Sequence, residues 1–154
     1  MKRAFLFVTV GVLAVGVFVS GLLAQSSPFV GTWKLNIAKT KIISGAPPKE
    51  ATATIQMVGD QDQVTGTAPD GSPFKYEVPR KGGTGKILAS DQFDGVSAKR
   101  INDNTFEIGY MKGGKEMVHF RSVVSKDGKT MTNTAKGTDE QGKPFSRVAV
   151  WEKQ

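Results

Sequence analysis

Phe29-Val30-Gly31-Thr32-Trp33-Lys34-Leu35-Asn36 decides how the chain is read, because it alternates with a period of two directly after an apolar leader. As a strand it carries Phe29, Gly31, Trp33 and Leu35 on one face and Val30, Thr32, Lys34 and Asn36 on the other. A first strand with that much apolar surface has to be covered by later ones. Gly31 leaves room for a backbone or a ring to come close, and the Trp33 indole fills the floor of whatever the strand closes against.

Downstream, short alternating runs are separated by turn signals. Ala51 to Val58 puts Ala51, Ala53, Ile55 and Met57 on one face, Gly59-Asp60 turns, and Gln61 to Ala68 is a more polar run. Pro69-Asp70-Gly71-Ser72 turns again, and Phe74, Tyr76 and Val78 share the next face. Pro79 to Gly85 reads as loop and Lys86 to Ala89 as a short strand. Val96 to Ile101, Thr105 to Lys112, Lys115 to Ser125, Thr130 to Gly137 and Phe145 to Lys153 follow, with Asp127-Gly128 the strongest two-residue hairpin signal. Ile37 to Glu50 has no strand pattern, and Gly45, Pro47 and Pro48 deny it a long helix. Gly71-Ser72-Pro73-Phe74 and Gly142-Lys143-Pro144-Phe145 start a strand in the same way, a short internal echo. Turns this frequent, with no amphipathic helix between them, predict an all-β antiparallel up-and-down meander. Closure into a barrel of about eight to ten strands removes the edges such a sheet would expose.

Ahead of the strands, Met1-Lys2-Arg3 is a positive n-region, Ala4 to Leu23 is uncharged and apolar, and Ala24 followed by Gln25 reads as a cleavage point. Residues 1–24 are therefore read as a secretory signal peptide, 25–28 as a spacer and 29–154 as the barrel domain. The location implied is secreted or periplasmic. The alternative is an uncleaved anchor through residues 4–24, since the apolar run approaches the ~20 residues that span a bilayer; contact with a membrane is expected only in that case.

About 130 residues remain after the leader, enough for one domain with a real core. Losing Lys2 and Arg3 lowers the net charge from +7 to +5. The remaining lysines fall mostly at turn edges, where they discourage edge pairing, and no basic stripe with interleaved aromatics exists to hold nucleic acid. Cysteine is absent, which excludes disulfides, thiolate metal sites and cysteine nucleophiles.

Phe29 to Leu35 resembles the opening of the fatty-acid-binding proteins, and Gly31-x-Trp33 resembles the first lipocalin motif. The ending Arg147-Val148-Ala149-Val150-Trp151-Glu152-Lys153 is similar to the last strand of fatty-acid-binding proteins, an aromatic followed by Glu-Lys with an inward arginine nearby. There the arginine lies two residues before the aromatic; here Arg147 lies four before, which keeps the same face. Arg121 resembles the family's other ligand-binding arginine, again displaced by two with the face preserved. The family's helix-turn-helix portal has no counterpart in Ile37 to Glu50, so the resemblance implies the barrel more than the ligand. By these residues the chain looks most like the exported bacterial proteins with a lipocalin-like domain, within the calycin superfamily.

Two inward arginines would make a carboxylate receptor, because the guanidinium stays charged and offers forked donors to both oxygens. Two other roles stay open: a structural lid stacked over Trp33, or simple exposure to solvent. The expected ligand-facing set is Arg121, Arg147, Tyr76, Phe106, Tyr110 and Trp151, with Gly31 and Trp33 as structural motif. Small residues at Ala53, Ala135 and Ala149 leave open whether the barrel is filled or hollow.

Catalytic machinery is hard to find. His119 is the sole histidine, so no multi-histidine metal centre can form, and no Gly-x-Ser-x-Gly elbow exists. Gly82-Gly83-Thr84-Gly85-Lys86 fails as a phosphate loop, having Arg80 where the first glycine belongs, Ile87 in place of Ser/Thr, and no following helix. Aspartates sit singly in turns, giving no calcium or paired-carboxylate site. No cofactor and no enzymatic activity are expected. The function expected is reversible binding of a small apolar or amphipathic molecule, with a filled barrel acting as a protein-interaction or inhibitor module as the alternative.

Overall fold

The computed structural model describes residues 27–139 and 141–154, so the leader reading, with Ala24 and Gln25 at its cut, lies outside the described residues. Alternation is realised as one antiparallel sheet: β1 (Gly31–Ser44), β2 (Thr52–Val58), β3 (Gln61–Thr67), β4 (Pro73–Pro79), β5 (Gly83–Thr84), β6 (Lys86–Ala89), β7 (Gly95–Asn102), β8 (Thr105–Lys112), β9 (Lys115–Val124), β10 (Thr130–Thr138) and β11 (Pro144–Lys153). Their order across the sheet is β5-β7-β8-β9-β10-β11-β1-β2-β3-β4-β6. Strands of this twist curl the sheet until its ends nearly meet, giving an up-and-down barrel. The runs read from the sequence all appear, and the strand added to them is the two-residue β5.

Neighbouring strands join through short turns that alternate between the two ends of the barrel. At the floor, Trp33 is completely buried and its Nε1 donates to the Phe29 carbonyl at 2.8 Å. The Lys153 ammonium lies 5.1 Å over the indole and donates to the Pro28 carbonyl at 3.2 Å. This lysine takes the lid role, one of those open to an arginine. Gly31 has φ +135°, and a Cβ there would lie 2.6 Å from Lys153 Cε. The group that comes close at Gly31 is thus an aliphatic lysine stem rather than the backbone or ring expected there.

Between β1 and β11 the register runs Leu35↔Trp151 and Asn36↔Val150, then resumes at Lys41↔Val148. The stretch read as strandless therefore holds a strand as far as Ser44, interrupted by a wide bulge. Local polar contacts make the bulge: Asn36 Oδ1 accepts from Lys39 N at 3.0 Å, and Thr40 Oγ1 donates to the Asn36 carbonyl at 2.8 Å. Glu152 holds it from outside, accepting from Asn36 Nδ2 at 3.0 Å and Lys39 Nζ at 2.8 Å. These contacts hide the alternation at 37–40 and let it resume beyond.

The barrel closes along β4 and β7 by a change of partner within one segment. Gly83 and Thr84 pair with Ala98 and Ser97 of β7, the Gly85 N–H donates to the Val96 carbonyl at 2.8 Å, and Lys86 and Ile87 then pair with Glu77 and Tyr76 of β4. The stretch read as loop is thus the seam of the wall. Gly85 lies where the two edges converge, and a Cβ there would run into the Glu77 carbonyl oxygen and the side chains of Val78 and Val96.

The echo around Gly71 and Gly142 is structural. Ala68 N donates to Ser72 O and Gly71 N to Ala68 O, each at 2.8 Å; Asp139 N donates to Lys143 O at 2.9 Å and Gly142 N to Asp139 O at 3.0 Å. Both turns lie at the same end of the barrel. The Asp127-Gly128 turn sits at the opposite end as a longer loop, closed by Ser125 N donating to Thr130 O at 2.8 Å.

Gly85→Ala has to push β4 from β7, and overpacking of this kind costs about 1–3 kcal/mol. Urea denaturation is expected to report that loss as a lower midpoint at unchanged slope; an unaltered midpoint would mean that the two edges part freely at the seam.

Candidate ligand cavity

Inward-facing positions of the strands enclose a cavity of about 500 Å³. It reaches the turns at 45–47, 68–73 and 90–93 and residues 138, 139 and 141, while Phe29 closes the other end, so it opens at one mouth, opposite Trp33. The volume persists because small side chains (Ala53, Ala135, Ala149) stand among the large ones.

Aromatic rings form a continuous wall from mid-barrel to the mouth. Tyr76 and Tyr110 meet edge to face at 5.5 Å, Phe74 lies 5.9 Å from Tyr76, and Phe120 lies 5.5 Å from Tyr110. Phe93, from the turn before β7, stacks on Tyr110 at 4.8 Å with planes 10° apart and narrows the opening. Burial pushes the Tyr76 phenol up to about 12, with the neighbouring Tyr110 hydroxyl acting against that rise. Burial likewise drives Tyr110 well above its ordinary value, and Tyr76 adds to the shift.

Charge enters at the mouth. Arg147, on the inner face of β11, lines the cavity with its guanidinium 5.0 Å over the Phe145 ring. It makes no ion pair or side-chain hydrogen bond among the described residues. Burial lowers its pKa and the charge of Asp70 partly offsets that, but a guanidinium stays protonated in either case. Burial works to raise Asp70 itself. Hydrogen bonds from the Ser72 side chain and backbone and from Gln92, together with Arg147, outweigh burial and hold its carboxyl below the usual range. The contact from Gln92 Nε2 to Asp70 Oδ2, 3.2 Å, ties the Phe93 turn to the β3–β4 turn across the rim.

Of the residues expected to face a ligand, Arg147, Tyr76, Phe106, Tyr110 and Trp151 line this cavity. Phe106 and Trp151 belong to its floor, where Phe106 meets Phe29 edge to face at 5.5 Å. Arg121 does not join them. It lies on the outer face of β9, half exposed, and pairs with Glu107 Oε1 at 3.2 Å. Inward positions on that strand are Val118, Phe120, Ser122 and Val124, so the face preserved by the spacing is the outer one. His119 shares that outer face, 3.4 Å from Glu116.

Sequence reading misses Asp62, Ser122 and Asn133, polar residues that also line the cavity. Parity could have found them: Asp62 shares a face with Val64, Ser122 with Phe120 and Val124, and Asn133 with Met131 and Ala135. Among the described residues no cluster of metal-ligating side chains occurs, and no helix is long and apolar enough to cross a membrane.

Several solved structures share this barrel architecture. Zebrafish ileal bile acid-binding protein complexed with cholic acid matches over 83% of this chain and 100% of its own, at TM-score 0.54 and 13% identity. A secretary abundant heat soluble protein from Ramazzottius varieornatus matches over 84% and 98%, at TM-score 0.56 and 13% identity. A protein with unknown function from Nostoc punctiforme matches over 82% of this chain and 48% of its own, at TM-score 0.56 and 12% identity. Identities this low establish the fold alone. No family model matches the sequence, and no curated protein does so.

Both tyrosines of the protein stand in the cavity wall, so alkaline titration reads the site directly. Absorbance of tyrosinate is expected to stay flat through pH 10, where an exposed phenol titrates, and to rise near pH 12 or on unfolding. Because the folded protein holds these protons more tightly than the unfolded chain, the stability they confer is complete below about pH 10 and falls as pH rises through about 12. A transition of either phenol at its ordinary value in the folded state would contradict the burial described.

Proposed function

We propose that this protein is a carrier that reversibly binds one small amphipathic molecule bearing a carboxylate or similar anionic group, without chemical conversion. The observation that carries the reading is the cavity of about 500 Å³ with aromatic walls and, at its mouth, an arginine lacking an ionic partner among the described residues. That volume lies within the range that holds small ligands, about 300–1,000 Å³. Apolar walls receive the hydrocarbon portion, and the Arg147 guanidinium offers paired donors to the anion. The Phe145 ring, 5.0 Å from the guanidinium, helps hold Arg147 in place. The likeness to a bile acid-binding protein complexed with cholic acid is consistent with this use of the fold.

A filled barrel acting through its surface would require a packed interior, and the cavity argues against it. Export to the periplasm or beyond remains part of the proposal, supported by the charged start, the apolar run to Leu23 and the Ala24-Gln25 junction.

Arg147→Leu is expected to weaken binding of the fluorescent fatty acid cis-parinarate by about tenfold or more, the worth of one charge-assisted contact. Arg121→Leu on the outer face serves as the control and is expected to leave binding unchanged. Equal effects of the two substitutions would remove Arg147 from the site, and failure of the unaltered protein to bind any apolar probe would end the carrier reading.

A further inference from the structure

The rim of the cavity carries fixed carboxylates as well as a cation. Asp70 is exposed in the turn at 69–72 and borders the mouth, as does the half-buried Arg147. The segment between β1 and β2 links their surroundings: Lys49 N donates to the Pro69 carbonyl at 2.7 Å, and Gly45 lies against Phe145, over whose ring the guanidinium sits. Each of the two charges favours the ionised form of the other. They nevertheless form no ion pair among the described residues.

Asp70 is held in place rather than left to swing toward the arginine. Its Oδ1 accepts from Ser72 N at 2.9 Å and Ser72 Oγ at 2.5 Å, and its Oδ2 accepts from Gln92 Nε2 at 3.2 Å. Of the roughly four acceptor positions of a carboxylate, one on Oδ2 is left. Asp139, in the echoing turn, also borders the cavity, its Oδ1 accepting from Gln141 N and Lys143 N at 3.0 and 2.8 Å. Lys75 and Lys112 border it too, so the rim presents both signs of charge. Closing the turn does not require a charge at 70, because asparagine closes turns of this kind as well. For a ligand bearing an anion alone, a fixed carboxylate on the same rim is unfavourable.

We propose that the headgroup received at the mouth is zwitterionic, with its anionic group on Arg147 and a cationic nitrogen on Asp70. The ligand is then a single-chain amphipath whose ammonium lies a few bonds from its anion, an assignment that rests on the carrier reading above and deepens it. Two opposite ligand charges set against two opposite protein charges are attracted at both, whereas a lone anion is drawn by one and repelled by the other.

The test is displacement of bound cis-parinarate by three lipids that share one palmitoyl chain, each used below its micelle-forming concentration. Palmitoyl lysophosphatidic acid is an anion alone, palmitoyl lysophosphatidylethanolamine adds the ammonium, and monopalmitoylglycerol has neither charge. The ethanolamine lipid is expected to compete about threefold to tenfold better than the phosphatidic acid, the range between an exposed ion pair and a charge-assisted hydrogen bond. Asp70→Asn keeps an oxygen for the Ser72 donors and is expected to abolish that preference, with thermal unfolding confirming the fold. Equal or better competition by the phosphatidic acid in the unaltered protein overturns the zwitterion assignment and leaves the carrier reading intact. A preference that survives Asp70→Asn overturns the role of Asp70, and tightest binding of monopalmitoylglycerol overturns recognition of either charge. Absence of parinarate binding altogether removes the carrier reading and this assignment with it.

Discussion

The barrel depends on the contact that joins β1 to β11 at its floor. Trp33 is completely buried there, bonded to the Phe29 carbonyl and covered by Lys153. The three residues of the Trp151-Glu152-Lys153 ending divide the work of closure. Trp151 completes the floor, Glu152 grips the bulge of β1 from outside, and Lys153 covers the indole. A meander without this pairing would keep two open edges, each presenting unpaired backbone donors and acceptors. With no disulfide available, the apolar floor, the backbone ladder and these side-chain contacts carry that closure.

Once closed, the wall has two unequal ends. At the floor large side chains interlock, and at the mouth the hairpin tips stand apart around Phe93 and Arg147. Interior space survives because alanines on three strands face rings that already touch one another. Electrostatics follows the same axis: a guanidinium over a ring at the entrance, and a buried carboxylate below, whose desolvation raises its pKa against the pull of Arg80 and Arg100. That gradient distinguishes this interior from a uniform greasy core.

Much of this is legible in the alternation of residues. Strand faces around Trp33, Tyr76, Phe106, Tyr110 and Trp151 follow from a period of two, and the inward placement of Arg147 follows from its parity with Trp151. The same rule ranks Arg121 beside it, because parity says that two residues share a face without saying which face is the inner one. On β9 the apolar content is nearly equal on both sides, so Val118 and Phe120 do not outvote Met117 and Val123. The bulge at 36–40 and the seam at Gly85 are illegible for a different reason. The bulge interrupts the alternation through local contacts that Glu152 holds from β11, the seam depends on bonds to two distant strands, and a glycine in a loop looks the same as a glycine squeezed between two edges. Asp62 escapes notice because alternation by itself assigns polar residues outward.

The pairing of β1 with β11 brings together residues such as Asn36 and Glu152, 116 positions apart. A ladder of such low locality forms late, since the entropy of closing so large a loop must be met before any contact across it rewards the chain. As the chain is delivered it can assemble hairpins in order but cannot close its circuit until residues near 153 have arrived. Until that moment β1 and β10 are free edges that a chaperone, or a neighbouring copy, can occupy. Folding of this protein is therefore expected to be gated by the arrival of one strand.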